Sequence, residues 1–262
     1  MKRRRLLTVL LAGVLLLAGC ASGQPTIPPA AAQPQETDPP APESDPVGDA
    51  PPAEPIDLIQ TQPPAPGDTI AVMQTNMGTI RIRLFPQYAP TTVENFIGLI
   101  VEGFYEGNTF HRVINNFMIQ GGCPEGTGMG GRSIFLDEEG NPQPFADEPS
   151  DALWNFRGAL SMANAGPGTN MSQFFIVQGS EPPEGGLLDA MIQAGFPAEV
   201  IAHYAQVGGT PHLDGLMSVH TVFGQVIEGM DVVDAIAAVP TAPGDRPIDD
   251  VVIISITLEE AE

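Results

Sequence analysis

The chain has 262 residues, of which 10 are Lys or Arg and 32 are Asp or Glu, so its formal net charge at neutral pH is −22. This charge argues against a nucleic-acid binder and against a surface that docks electrostatically on anionic lipid, because both need clustered basic side chains. Two cysteines exclude a disulfide-rich scaffold and a four-cysteine zinc site, whereas 42% apolar residues suffice for a sizeable core.

Residues 1–19 have the organisation of an export signal. A basic segment at residues 2–5 precedes an apolar run at residues 6–18, which is too short to span a bilayer comfortably. The run ends in Leu-Ala-Gly-Cys at Cys20, a string that resembles the lipobox of bacterial lipoproteins. The resemblance implies that the signal peptide is removed and that acylated Cys20 attaches the protein to the membrane. An ordinary signal peptide with a chance cysteine, or an uncleaved anchor, is the alternative.

A lipid anchor predicts an exported protein at the outer face of the cell membrane, or in the periplasm or at the outer membrane of a cell with two membranes. Cleavage before Cys20 would leave 6 basic and 32 acidic residues, a net charge of −26. Like charge on every copy favours a monomer. With Cys20 acylated, Cys123 would have no partner for an intramolecular disulfide.

Residues 20–68 are predicted to be the acylated cysteine followed by a disordered linker. Residues 21–68 contain 14 prolines and eight acidic side chains but no basic or aromatic ones. Such a segment cannot bury enough apolar surface to offset its ordering entropy, and proline and like charges extend it. We therefore expect a tether that holds a domain away from the membrane. A docking site for proline-recognising modules is the alternative.

Residues 69–262 are predicted to form one mainly β domain. Apolar side chains alternate with arginines over residues 80–84, so this strand and residues 69–75 form a hairpin around a turn at 76–78. A helix follows from Pro90, because Thr91 and Glu94 have capping-box spacing. Many short strands with few helices favour a barrel or sandwich. Further strands are expected over residues 110–114, 117–120, 159–163, 174–178, 221–227 and 251–258, and a second long helix over residues 231–239.

One stretch departs from this pattern, at about residues 181–209. Residues 187–194 and 198–206 have helical character and are separated by Gly195 and Pro197. We interpret them as an inserted helical hairpin on the rim of the barrel. Such an insertion could gate substrates or bind a partner, or it could be a surface decoration.

Familiar site motifs are poorly supported elsewhere. Residues 126–131 match the letters of the dinucleotide fingerprint, but an acidic segment broken by proline follows in place of the required helix. A glycine-rich loop is the better interpretation. The four histidines lack tight ligand spacing, and no serine has a nucleophile-elbow context. We therefore expect no metal and no cofactor.

Three strings are the most informative part of the sequence: FHRVINNFMIQGGCPEGTG (residues 110–128), GALSMANAGPGTNMSQFFI (residues 158–176), and LDG with HTVFGQVIEGMDVVD (within residues 213–234). Together they closely resemble the cyclophilin family of peptidyl-prolyl cis-trans isomerases. The resemblance covers residues 69–262 and implies a closed eight-stranded antiparallel β-barrel capped by two α-helices. It also implies that the protein isomerises X-Pro bonds in proline-containing polypeptides, and so assists the folding of exported proteins. A non-catalytic barrel that binds proline-containing partners is the alternative.

The same resemblance implies a set of site residues. Arg112, in FHRV, matches the arginine that contacts the amide of the substrate proline. The residues matched to substrate binding are His111, Phe117, Met118, Gln120, Ala163, Asn164, Gln173, Phe175, Leu213 and His220.

This set suits the reaction, which breaks no covalent bond and so needs neither a nucleophile nor a metal. Amide resonance sets a rotation barrier of roughly 20 kcal/mol, and the twisted state exposes a nitrogen lone pair that a guanidinium can stabilise. Taken alone, Phe117, Met118 and Phe175 would be assigned to the core and Arg112 to the surface.

The chain departs from the family pattern near the far wall of this site. His212 stands where many cyclophilins carry tryptophan, which puts cyclosporin sensitivity in doubt. Four residues, 216–219, lie between Gly215 and His220 where the familiar pattern has one. The rim at His220 could therefore be displaced.

Overall fold

The computed structural model describes residues 57–262, so the predicted signal peptide, Cys20 and most of the predicted linker lie outside the described residues. The strands are β1 (Thr69–Thr75), β2 (Gly78–Leu84), β3 (Arg112–Ile114), β4 (Met118–Gly121), β5 (Ala159–Met162), β6 (Phe174–Val177), β7 (Val222–Glu228), β8 (Thr241–Ala242), β9 (Arg246–Pro247) and β10 (Ile253–Glu260). The helices are α1 (Pro90–Val101), α2 (Gly186–Gln193), α3 (Ala198–Val207) and α4 (Met230–Ala237). None of these helices is long and apolar enough to cross a membrane.

The architecture is a curled antiparallel sheet of eight strands in the order β10-β1-β2-β7-β5-β6-β4-β3, with β8 and β9 forming a separate hairpin. All eight predicted strands are confirmed, with small shifts at their ends. The two edges of the sheet approach each other just before β3 and β10, where Thr109 bridges Val252 and the N–H of Phe110 donates to the Val251 carbonyl over 2.9 Å. A continuous ladder between β3 and β10 is not among the pairings of residues 57–262.

The main core lies between the sheet and helices α1 and α4. Ile82 of β2, Phe96 of α1, Phe174 of β6 and Ile236 of α4 are fully or almost fully buried in one apolar cluster. Phe96 packs edge-on against Phe174, with 5.7 Å between the ring centroids. Burial on one face of each helix therefore fixes both helices on one face of the sheet. Phe175, next to Phe174 on β6, belongs to a second cluster, since successive strand residues point to opposite faces.

The N-terminus of α1 is capped differently from the sequence prediction. The predicted capping box of Thr91 and Glu94 is wrong, because Ala89 is the N-cap and makes no side-chain capping bond. Instead, the Glu148 carboxylate accepts the N–H groups of Thr91 and Thr92 at 3.0 and 2.8 Å, and the Thr92 hydroxyl at 2.8 Å. Burial opposes ionisation of Glu148, but these hydrogen bonds hold its pKa below the ordinary value. A carboxylate distant in sequence thus satisfies the free donors of the helix.

We expect Glu148→Gln to lower the free energy of unfolding at pH 7 by about 1–2 kcal/mol, because it weakens a charged cap. The exposed Glu94→Gln variant should change it by less than about 0.5 kcal/mol. Chemical denaturation of both variants provides the measurement. A carboxyl such as that of Glu148, whose pKa is lower in the folded state, stabilises the fold at pH values above its unfolded pKa. That contribution is lost as the pH falls through the folded pKa. The difference between Glu148→Gln and wild type should therefore shrink in acid, and equal effects at both positions would refute the assignment.

The packed region begins before the predicted boundary at residue 69. Gln60 is buried, donates from Nε2 to the Trp154 carbonyl over 2.9 Å and accepts the Trp154 N–H at 2.6 Å. The ion pair between Arg83 and Asp68, with an N–O distance of 2.7 Å, holds the same segment. Residues 60 and 68, at the end of the predicted linker, thus contact the domain through one buried amide and one ion pair.

The predicted helical hairpin in the insertion is confirmed as α2 and α3. Met191 of α2 and Val200 and Tyr204 of α3 are fully buried against Trp154 and Phe156, which precede β5. The rings of Phe156 and Tyr204 lie 4.6 Å apart. The insertion therefore has its own small apolar core, which attaches it to the sheet.

Candidate functional site

A cavity of about 140 Å³ opens where strands β3 to β6 meet the segment before β7. It brings together residues that the sequence places on five separate segments. Among the predicted site residues, all except His111 and Gln173 line it, namely Arg112, Phe117, Met118, Gln120, Ala163, Asn164, Phe175, Leu213 and His220.

Strand register explains how the polar and apolar members of this set meet. Arg112 of β3 pairs with Gln120 of β4, and Gln120 pairs with Phe175 of β6. Residues directly opposite each other on neighbouring antiparallel strands point to the same face. The pairing therefore aligns a cation, an amide and an aromatic ring in one row across three strands.

The floor of the cavity is apolar. Met118, Phe175 and Leu213 are only 2%, 4% and 8% exposed, and they pack in a cluster separate from the main core. The half-buried ring of Phe117 packs against this cluster. Because apolar surface leaves water when a small apolar group covers it, such a floor favours binding of that group.

Arg112 stands at the rim, and its side chain is 43% exposed. Its Nε lies 3.6 Å from Oδ2 of Asp245, in the turn between β8 and β9. The backbone carbonyl of Asp245 also accepts the N–H of Val113 over 2.8 Å, which fixes this turn beside β3. The sequence pattern did not indicate Asp245, because nothing local connects a distant turn to Arg112.

The two glutamines have different places in the site. Gln120 lines the cavity and donates from Nε2 to Oε1 of Gln173 over 3.0 Å. Gln173 does not line the cavity and donates to the carbonyls of Gly128 and Gly130 at 2.9 and 2.6 Å. The glycine-rich loop of residues 126–131 therefore anchors Gln173, and Gln173 in turn orients the amide of Gln120. The Oε1 atom of Gln120 takes no part in the hydrogen bond between the two glutamines.

The opposite side of the cavity is held by hydrogen bonds to buried backbone and to a carboxylate. The Nδ1–H of His220 donates to the Met162 carbonyl over 3.0 Å, and its ring meets Phe175 edge-on with 5.5 Å between centroids. Asn164 donates from Nδ2 to Oδ1 of Asp147 over 3.0 Å. The sequence missed Asp147, since it lies in an irregular segment with no recognisable motif.

Two histidines stand beside the cavity without lining it. His111 is 6% exposed, and burial, with the charges of Arg246 and Arg112 acting in the same direction, lowers its pKa. His212 stacks on Phe117 with 5.7 Å between ring centroids. Burial, and then the charge of His220, lower the pKa of His212. Both rings therefore favour the neutral form, and the guanidinium that lines the cavity is that of Arg112.

The lining groups can bind and orient, but they do not form a nucleophile–base pair. No cluster of three or more His, Cys, Asp or Glu residues that could hold a metal occurs between residues 57 and 262. Cys123 is a free, buried thiol. An apolar floor, an orienting amide and an exposed guanidinium can hold a small ring and place positive charge beside it.

Comparison with known sequences agrees with this geometry. The family described as cyclophilin type peptidyl-prolyl cis-trans isomerase/CLD matches residues 70–258. A Staphylococcus saprophyticus protein, provisionally named as a peptidyl-prolyl cis-trans isomerase, is 50% identical over 189 residues, which cover 72% of this chain and 91% of the relative. A Streptococcus pyogenes protein, provisionally named as a bifunctional phosphatase/peptidyl-prolyl cis-trans isomerase, is 52% identical over 186 residues, which cover 70% of this chain and 37% of the relative.

Solved structures give the same result for the fold. A crystal structure of a Cryptosporidium parvum cyclophilin type peptidyl-prolyl cis-trans isomerase has a TM-score of 0.58 and 30% identity, and the match covers 75% of this chain and 99% of that one. A second crystal structure of that protein, in the presence of the dipeptide Ala-Pro, has a TM-score of 0.56 and 30% identity over 72% of this chain and 98% of that one.

Proposed function

Because the chain belongs to the cyclophilin-type peptidyl-prolyl cis-trans isomerase family and is such an isomerase, we propose that Arg112 stabilises the twisted X-Pro amide of a polypeptide bound in the 140 Å³ cavity. The observation that carries this proposal is the position of an exposed guanidinium at the rim of a small cavity with an apolar floor. The crystal structure of the related protein in the presence of Ala-Pro supports proline as the occupant.

The mechanism follows from what rotation does to the amide. In both planar isomers the nitrogen lone pair is delocalised into the carbonyl group, which sets a barrier of roughly 20 kcal/mol. In the twisted state conjugation is lost and the lone pair becomes available as a hydrogen-bond acceptor. A guanidinium aimed at that nitrogen binds the twisted state more strongly than either planar state, which accelerates rotation. Arg112 stays charged and has a rigid set of donors, so it fits this role.

The remaining lining residues hold the substrate while the bond rotates. Phe117, Met118, Phe175 and Leu213 would enclose the proline ring. Gln120, oriented by Gln173, would accept or donate a hydrogen bond to the peptide backbone. Ala163 and Asn164, on the segment after β5, and His220 would contact the extended chain next to the proline. The bridges at Thr109 support a sheet that closes into a barrel and so keeps these walls rigid.

The proposal also includes a location. The lipobox-like string at Cys20 and the acidic, proline-rich segment after it support an exported, lipid-anchored protein that assists the folding of other exported proteins. The tether would let the isomerase domain reach polypeptides that emerge at the membrane surface.

We expect Cys20→Ser to abolish lipid labelling and to move the protein from the membrane fraction to the soluble fraction. The stable anchor requires acyl chains on this sulfur, whereas Cys123 is buried in the domain. Cys123→Ser is the matched control and should remain labelled and membrane-bound. If Cys20→Ser fractionates and labels as wild type does, the protein is not a lipoprotein.

Isomerase activity itself is tested by exchange NMR on a short X-Pro peptide with the full chain. Catalysed interconversion that disappears in Arg112→Ala supports the proposed mechanism. If both proteins bind the peptide and neither accelerates exchange, a non-catalytic binding module is the better description.

A further inference from the structure

A second cavity, of about 180 Å³, adjoins the proposed proline site. Phe117 lines both cavities, and His212, which stacks on Phe117, lines the second. Most of the other walls come from the insertion and the segments on either side of it, namely Gly179, residues 181–184, Leu187 and residues 209–211. Asn116, in the turn between β3 and β4, completes the lining. This cavity therefore exists only because the insertion lies next to the site.

The walls of the second cavity are mostly apolar and carry two acidic side chains. Pro182, Pro183, Pro211 and Leu187 supply apolar surface. Glu181 and Glu184 are exposed, and neither pairs with a basic side chain in the part of the chain that the structure describes. The lining contains no Lys or Arg. The potential in this cavity is therefore negative and has no internal counter-charge.

A buried polar group in the same wall lacks a partner. Thr210 is 2% exposed and lines the cavity, and its Oγ1 forms no hydrogen bond with any group in residues 57–262. An unpaired buried hydroxyl costs free energy unless something else satisfies it. The second cavity thus combines apolar walls, two unpaired carboxylates and a hydroxyl with free hydrogen-bonding capacity.

We propose that this cavity is a substrate subsite that takes the side chain of a lysine or arginine close to the proline of the bound polypeptide. The inference rests on the proposed proline site. The aliphatic stem of a basic side chain packs against apolar walls while its charged end stays at the solvent edge, where the two glutamates stand. An acidic side chain would meet repulsion from both carboxylates in the same place.

The wall residue that the two cavities share, Phe117, suits occupation of the second cavity by a neighbouring residue of the same peptide. An extended chain advances about 3.3 Å per residue, and successive side chains point to opposite sides. A cavity that shares the ring of Phe117 with the proline site is therefore within reach of a residue one or two positions away. The insertion would then select clients by charge, which gives it a role beyond attachment to the sheet.

The test uses the full chain and fluorescent X-Pro peptides that carry Lys, Ala or Glu at each of the two positions on either side of proline. Dissociation constants from anisotropy at low salt are measured together with exchange rates from NMR. We expect wild type to bind the best Lys peptide about three- to tenfold more tightly than its Glu counterpart, as two exposed charge pairs allow. In Glu181→Gln/Glu184→Gln the ratio should fall below about twofold.

The matched control is Asp189→Asn/Glu199→Gln, which removes the same charge from exposed positions of α2 and α3 that do not line the cavity. It should retain the wild-type preference. Equal affinity of wild type for Lys and Glu peptides, or the same loss of preference in both double variants, would overturn the subsite. Absence of isomerisation with intact charge preference would overturn the proposed catalysis and leave the subsite standing, so the two failures are distinguishable.

Discussion

Arg112→Ala is expected to lower kcat/KM for isomerisation of an X-Pro peptide by about two to three orders of magnitude, as removal of a single preorganised donor to a transition state does elsewhere. The guanidinium lies at the rim with 43% of its side chain exposed, so its loss leaves no cavity in the core. Most of the effect should fall on kcat, because the interaction strengthens only when the amide twists. Exchange NMR and circular dichroism on the same samples would separate lost catalysis from lost folding.

Two further variants sharpen this experiment. Arg112→Lys keeps the charge but loses the planar set of donors, and we expect it to recover only part of the activity. Arg81→Ala removes an arginine from β2 that is paired with Glu228 and Glu259 and does not line the site. It should keep kcat near the wild-type value. Wild-type activity in Arg112→Ala would exclude the guanidinium from the reaction.

Asp214→Ala is expected to lower the free energy of unfolding by about 3 kcal/mol and to raise KM. The half-buried Asp214 lies directly after Leu213, which forms one wall of the proline site, and it contacts the fully buried Asn155 and Tyr204. It accepts the backbone N–H of Asn155 at 3.0 Å, the side-chain amide of Asn155 at 2.6 Å and the hydroxyl of Tyr204 on α3. Alanine leaves all three donors unpaired in a buried site, so both the wall and the attachment of the insertion should loosen.

The same group makes stability depend on pH. Burial raises the pKa of Asp214 to about 6, although the hydrogen bonds from Tyr204 and Asn155 act against this. A carboxyl whose folded pKa lies above its unfolded value near 4 stabilises the fold below the unfolded pKa. That contribution is lost as the pH rises through the folded pKa, and for a shift of this size it amounts to about 3 kcal/mol.

The side chain in Asp214→Asn cannot ionise, so the variant does not lose this contribution as the pH rises. The free energy of unfolding of wild type should therefore fall relative to that of Asp214→Asn between about pH 4 and pH 6. Urea denaturation at several pH values would provide the measurement, and the exposed Asp189→Asn variant is the control. Carboxyls with depressed pKa values, such as Glu148, make the fold more stable as the pH rises. They are present in wild type and in both variants, so their contribution cancels when the free energies of unfolding are compared. A difference that does not vary with pH would contradict the assignment to Asp214.

The sequence predicted the strands well because their signals are local. Alternation over residues 80–84 and the apolar runs at residues 174–178 and 221–227 each identify a strand without knowledge of its partner. The capping of α1 was predicted wrongly for the complementary reason. Thr91 and Glu94 have the right spacing, but the carboxylate that binds the helix end comes from Glu148, in a segment that local patterns leave unassigned.

The site shows the same division. Motif strings pointed to Arg112, Gln120 and Phe175 as site residues, and strand pairing places these three residues side by side. Gln173 does not line the cavity but accepts a hydrogen bond from Gln120, and its predicted contact with substrate stays a prediction. Asp245 beside Arg112 and Asp147 beside Asn164 carried no sequence signal. A residue that supports the site only has to lie close to it in the folded structure. The sequence around such a residue therefore need not contain a motif that reveals its role.

The amino-acid sequence by itself therefore determined the mainly β domain, the order of its elements, the helical insertion and the residues of one cavity. These follow from periodicity and from long strings whose residue types are tied to one fold. Only the tertiary structure decided that residues 57–68 pack on the sheet, that Tyr204 reaches Asp214, and that the insertion forms an acidic cavity beside Phe117. Such contacts join residues far apart in the chain, and their free energy depends on burial and geometry that exist only after folding.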